Sequence, residues 1–264
     1  MTLKRLAFLL CIPVMAASAF ARQVSQGVTR DPQAVAILNQ SVAAAGGLPA
    51  ISSIEDFTGI GTITYYWADQ QVQCPVTVRG LGVSDFRLDA SLPAGTRTWA
   101  ASGYSGVLIG TDGAQHSSPF YNLTTAGSLT LPYTRIAAIL SDSSTSISYV
   151  GLVTVSGQQL QQVHFALAVD PKIASSVPLS GLGTFDMYFD STSFLVTKLT
   201  ETVWSETDFT TTLPHEIDFT NYQSAGGIQA PLTVTEIVNG QTTWAVTLSS
   251  LTYNSGLTDS IFNP

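Results

Sequence analysis

Cysteine is almost missing: the chain has two among its 264 residues. Cys11 lies in an apolar N-terminal run with no small-residue lipobox before it, so it is not expected to carry a lipid. Cys74, in "VQCPVTV", has no second cysteine to bridge once that run is removed, which excludes a disulfide framework. No basic or helix-terminal setting surrounds it that would make a thiol reactive. It reads as a small buried residue on a strand. Long apolar stretches are wanting too. The run from Leu6 to about Phe20 falls short of the ~20 residues that span a bilayer. Preceded by Lys4 and Arg5 and closed by Ala19-Phe20-Ala21, it has the three parts of an export signal. Residues 1–21 are therefore expected to be cleaved, leaving 22–264 as the mature chain in the periplasm or outside the cell. N-terminal sequencing of exported protein should start at Arg22. A sequence starting at Met1 would contradict that expectation.

Positive charge is scarce. Loss of Lys4 and Arg5 leaves 8 of the 10 basic residues against all 18 acidic ones, a net of −10. An acidic surface repels phosphate backbones, so nucleic acid is not an expected partner. Attraction to anionic lipid headgroups is equally disfavoured. Reactive motifs are missing as well. "HEIDF" (His215 to Phe219) lacks the second histidine of H-E-x-x-H, and "SGYSGV" is not G-x-S-x-G. There is no phosphate-binding loop and no dinucleotide fingerprint. His116, His164 and His215 stand far apart in sequence. On a strand His215, Ile217 and Phe219 share one face while Glu216 and Asp218 share the other, so the histidine cannot join those two acids at a metal. No catalytic residue, metal or cofactor is expected.

What is present is one helix followed by many strands. In "DPQAVAILNQSVAAAGG", Asp31 is an N-cap, Pro32 suits the first helical position, and Gly46-Gly47 ends the helix. Val35, Leu38, Val42 and Ala45 fall on one face. "LPAISSI" adds a short helical turn, and Pro132 to Leu140 suits a short helix. From Phe57 onward, short runs rich in Thr, Val, Ile and aromatics alternate with Gly, Pro, Asp and Asn. Hairpins are expected about Ser156-Gly157, Asp190 to Ser193, and Asn239-Gly240. The pattern predicts an α+β, mainly β fold: one curled antiparallel sheet with helical cover. Residues 22–264 are expected to form one domain, although a break near residues 140–146 would allow two.

Two strands suggest an apolar cavity. In "FDMYFD", Phe185, Met187 and Phe189 line one face, either as plain core or as a pocket wall that flexible Met suits. In the Asn-Gly hairpin a two-residue turn sets Val238 opposite Gln241. It places Val234 and Glu236 on one face and Trp244 on the other, so apolar groups occur on both. That suits a sheet packed on one side and touching helices or an apolar ligand on the other.

These segments resemble a known family. "AVAILNQSVAAAGGLPAISSIEDFTGIGTITYY", "SDFRLDA" with the later "LIGTDGAQ", "MYFDSTSFLVTKL" and "IDFTNYQSAGGIQAPLTVTEIVNGQ" are similar to LolA/LolB-like periplasmic lipoprotein carriers. The resemblance covers most of residues 33–264. It implies an unclosed antiparallel β-barrel with helices over its mouth. It also implies a non-enzymatic protein that binds acyl chains, lipids or lipoproteins, or senses them for an envelope protein partner. The family's arginine that holds the helical lid corresponds to Arg87 or to its competitor Arg79, unless either simply pairs with a surface acid. The expected ligand contacts are thus Phe185, Met187, Phe189, Val234, Trp244 and Arg87.

Overall fold

The computed structural model describes residues 28–67, 70–103, 105–118, 120–123, 131–168, 183–205 and 211–263. The expected signal peptide and its cleavage site lie outside them. The first helix, α1 (Pro32–Ala44), forms where the capping residues predict it. The Asp31 carboxylate accepts from the amides of Gln33 (2.8 Å) and Ala34 (3.4 Å), two of the donors a helix start leaves unpaired. Its buried stripe is Ala34, Ile37, Leu38, Ser41 and Val42, while Val35 is only partly buried. Each large apolar side chain in that stripe contributes about 1.5–3 kcal/mol on burial. Gly46 and Gly47 have φ of 129° and 94°, which side chains other than glycine resist, and the chain turns there into α2 (Leu48–Ser52).

Six strands follow: β1 (Asp56–Trp67), β2 (Gln70–Leu81), β3 (Asp85–Leu92), β4 (Gly95–Ser102), β5 (Ser105–Ile109) and β6 (Gln115–Ser117). After the third helix, α3 (Pro132–Ser141), come β7 (Ser146–Val155), β8 (Gln158–Ala166), β9 (Thr184–Asp190) and β10 (Val196–Trp204). The last three strands are β11 (Thr212–Ala225), β12 (Ile228–Val238) and β13 (Gln241–Tyr253). All belong to one antiparallel sheet in the order β6-β5-β4-β3-β2-β1-β13-β12-β11-β10-β9-β8-β7. Strands consecutive in sequence pair within β1–β6 and within β7–β13, and the β1–β13 pairing joins these two runs. The end strands β6 and β7 do not pair with each other, so the sheet curls without closing. Near α1, the N-terminal segment adds a parallel bridge from Arg30 to Ile147 at the β7 edge.

The predicted turns form as their chemistry requires. Ser156-Gly157 and Asn239-Gly240 have positive φ at both positions. The turn after β9 is held by Asp190, which accepts from the amides of Ser193 (2.7 Å) and Thr192 (3.1 Å). Those bonds, the Ser193 amide first, hold its pKa down to about 2 against the opposing effect of burial.

One register differs from expectation. Val238 does face Gln241, but a bulge follows, so Glu236 pairs with Trp244 and Val234 with Val246. The extra residue rotates the remainder of β13 by half a pleat. Trp244 therefore lies on the same face as Val234 and Glu236, not opposite them. This face is the concave one. Val234, Val246, Ile63 and Ile217 are fully buried there, as are Val78 and Phe86. Cys74, 5% exposed and unpaired, is a buried residue of β2 as expected.

α1, α2 and α3 pack on one another and share the buried apolar cluster with the concave face. Two side chains fasten α3 to the sheet. The Tyr133 hydroxyl accepts from the Val196 amide (3.1 Å), and Arg135 donates to the Val83 carbonyl (2.8 Å). No described helix is long and apolar enough to cross a membrane.

Candidate functional site

Burial falls along the strands from one end of the concave face to the other. On β1, Ile63 is 0% exposed, Tyr65 6% and Trp67 41%. The deep end is packed under the helices. At the shallow end, near the end of β1 and the β3–β4 and β12–β13 turns, the sheet lines a half-open cavity of about 420 Å³. That lies within the range of small-ligand pockets, roughly 300–1,000 Å³.

Its wall is aromatic. The chain's four tryptophans are Trp67, Trp99, Trp204 and Trp244, and all four line the cavity, spread over β1, β4, β10 and β13. Ile63, Leu88, Leu108, Val203, Leu213 and Val238 add aliphatic surface. These residues come from strands far apart in the sheet order, so their convergence measures the curl. A 3-10 turn at Phe120–Leu123, after β6, closes the span. Asn122 donates to the Trp204 carbonyl and accepts from the Trp204 amide, both at 2.8 Å, as a neighbouring strand would.

Two polar features stand in this wall. At the shallow end Tyr65 and Trp67 stack with centroids 5.0 Å apart, and the Arg97 guanidinium lies 5.5 and 5.9 Å from their ring centres. These distances allow cation–π attraction to both rings. Burial pushes the Tyr65 hydroxyl up to about 12.

On the facing wall His215 is 7% exposed and sits between two carboxylates. Its Nδ1 is 2.9 Å from Glu201 Oε1 and its Nε2 is 3.2 Å from Glu236 Oε1. A carboxylate only accepts, so both ring nitrogens must carry protons and the ring is an imidazolium. Burial alone would lower its pKa. The hydrogen bonds and charges of Glu201 and Glu236 outweigh that and raise it to about 10. Thr243, the bulged residue, donates to the second oxygen of Glu236. Arg135, reaching down from α3, interacts electrostatically with Glu201, and its own pKa falls to about 10 through burial. The group holds two positive and two negative charges and balances internally.

Two of the histidines, far apart in sequence, find acidic partners through the fold. His215 is buried on the concave face with acids from β10 and β12, and His164 pairs with Asp186 at 2.8 Å. The separation of His215 from Glu216 and Asp218 does hold, since those two acids pair with Lys198. His116 lies exposed on β6. The described residues contain no group of three or more His, Cys, Asp or Glu arranged to hold a metal ion.

The residues expected to touch ligand are distributed unevenly. Trp244 lines the cavity. Val234 is fully buried deeper on the same face. Phe185, Met187 and Phe189 are 2%, 0% and 0% exposed and belong to the buried apolar cluster. Phe185 pairs with Glu201, beside the cavity, and stacks on Phe165 with centroids 4.8 Å apart. Arg87 takes the surface-pair alternative. Together with Arg79 it binds Asp89, at 2.9 and 2.7 Å, and it donates to the Ile261 carbonyl (2.9 Å), fixing the C-terminal segment. Neither Arg87 nor Arg79 lines the cavity. Arg97, Trp67, Trp99, Trp204 and the His215 group were not singled out by sequence reasoning as cavity residues. The one available signal was that every tryptophan stands within a few residues of a strand end.

No family model matches the chain, and no curated protein matches it. Solved structures do. An outer membrane lipoprotein-sorting protein domain from Vibrio parahaemolyticus, described as putative, superposes with a TM-score of 0.53. Identity is 12%, and the match covers 88% of this chain and 96% of that one. A LolA superfamily protein from Nitrosomonas europaea superposes with a TM-score of 0.53 at 12% identity, over 88% and 97% of the two chains. At such identities the likeness establishes a shared fold. The curled sheet with its helical cover is the LolA-type architecture that the sequence resemblance implies.

Proposed function

We propose that this chain is an exported, non-enzymatic binding protein of the cell envelope. It holds an apolar ligand, such as an acyl chain of a lipid or lipoprotein, in the cavity of its curled sheet. The observation that carries the proposal is the cavity itself: about 420 Å³, bounded by four tryptophans and six aliphatic side chains at the open end of the concave face. Burial of a ligand methylene there contributes about 0.8 kcal/mol, so ten or so would give firm binding with no reactive residue. Phe185, Met187, Phe189 and Val234 continue the same face inward and form its apolar floor. The buried charges of His215, Glu201, Glu236 and Arg135 offset one another beside this apolar surface.

The four tryptophans report directly on occupancy. Titration with N-phenyl-1-naphthylamine should quench them and reach saturation at one probe per chain. Leu108, half-buried on the short strand β5, is the position for a disruptive test. Leu108→Asp sets an unpaired carboxylate against the ligand and should weaken probe binding at least about tenfold. Its melting temperature should stay close to wild type. A wild-type protein that takes up no probe would sink the proposal. The rival function, an envelope sensor or scaffold that binds protein, is favoured by the edge strand β7, where Val150 and Leu152 are 53% and 50% exposed. A specific protein partner and an empty cavity in the native material would favour that rival.

A further inference from the structure

Resting on the cavity reading above, we infer that the ligand is an amphiphile with an anionic head, and that Arg97 receives that head at the mouth. Among the described residues, Arg79 and Arg87 share Asp89, and Lys198 pairs with Glu216 and Asp218. Arg30 donates to the carbonyls of Ile139 (3.1 Å) and Asp142, and Arg135 to that of Val83. Arg97 differs. It faces the concave side from β4, and its partners are the faces of Tyr65 and Trp67 and the neutral Tyr65 hydroxyl. No carboxylate of the described residues pairs with it. His215 and Glu236 in the lining, with Glu201 and Arg135 behind them, offset one another, so among the described residues the uncompensated charge at the lining is the Arg97 guanidinium.

Position matches sign. Arg97 is half-buried beside Trp67, the most exposed ring of the wall. From there burial increases inward along β1 through Tyr65 to Ile63, and along β3 through Leu88 to Phe86. A cation at the rim with an apolar interior behind it complements a molecule with an anionic head and an alkyl tail. The two stacked rings hold the guanidinium, and the Tyr65 hydroxyl accepts one of its five N–H groups, which leaves the others for a ligand acceptor. Carboxylate and phosphate oxygens fit that fork with paired, charge-assisted hydrogen bonds. A cationic head would meet like charge.

The test is displacement of N-phenyl-1-naphthylamine by twelve-carbon ligands that differ in the head alone. Dodecanoate or dodecyl phosphate should compete about tenfold or more better than dodecanol, and dodecyltrimethylammonium worst of all. Preference for one of the two anions assigns the head as carboxylate or phosphate. Arg97→Gln should remove that advantage, lowering the affinity for the anion about tenfold while leaving dodecanol within about twofold. Arg97→Lys, which keeps the charge but loses the fork, should fall between the two. Equal binding of dodecanol and the anions by wild type would overturn the inference and leave the cavity reading standing. So would an Arg97→Gln effect of equal size on all heads. If none of the ligands displaces the probe, or the probe itself does not bind, the cavity reading fails first.

Discussion

Replacing His215 with leucine should destabilise the fold by about 3–5 kcal/mol in urea unfolding, far more than a cavity-wall change of similar size. The imidazolium lies between Glu201 and Glu236, whose side chains are 4% and 16% exposed. Its removal leaves two buried carboxylates facing each other without the proton donors they now share. The cost therefore comes from stranded charge and should be largely reversed when Glu236→Gln is added, which leaves Glu201 balanced by Arg135. The same group sets a pH dependence. The ring's pKa is about 10 in the fold, against an ordinary value of 6.5. A folded pKa above the unfolded one means that the folded state holds the proton more tightly. The stabilisation is complete below about pH 6.5 and is lost as the pH rises toward 10. Wild type should thus weaken steadily from neutral to alkaline pH, and His215→Leu should lose most of that slope. A His215→Leu protein of wild-type stability with an unchanged alkaline profile would show that the charge group is not holding the sheet.

Met187→Asp should unfold the protein or cost about 4 kcal/mol or more. Met187 is 0% exposed, with Val163 and Leu199 as its cross-strand partners, and its chain neighbours on that face are Phe185 and Phe189. These neighbours are all apolar and offer a carboxylate no side-chain donor, and a buried unpaired charge is among the costliest single changes. Circular dichroism and thermal melting read the result. A folded Met187→Asp protein with an unchanged transition but no probe binding would mean that the trio is cavity wall and not packed floor.

The features legible in the sequence are the local ones. Asp31, Pro32 and the glycine pair bound α1 through contacts that span a few residues. Ser156-Gly157 and Asn239-Gly240 fix their hairpins through backbone angles alone. Alternation in "FDMYFD" predicts the inward face of β9 for the same reason. The site was less legible because it depends on pairings between strands. His215 meets Glu201 and Glu236 only through the registers of β10, β11 and β12, while its nearest acids in sequence, Glu216 and Asp218, point the other way. Trp244 joins Glu236 because a bulge shifts β13 by one residue, and nothing in "VNGQTTWAV" marks Thr243 as the extra one. Arg87 drew attention through resemblance. Arg97, ten residues later on the next strand, faces the cavity because the β3–β4 pairing turns it inward.

Native mass spectrometry of the processed protein isolated from its own host should show the ligand in place. A bound mass is expected at one copy per chain, matching an acyl-chain compound, released on gentle activation and absent from Leu108→Asp. Bare protein from the host that also leaves N-phenyl-1-naphthylamine unbound would contradict it.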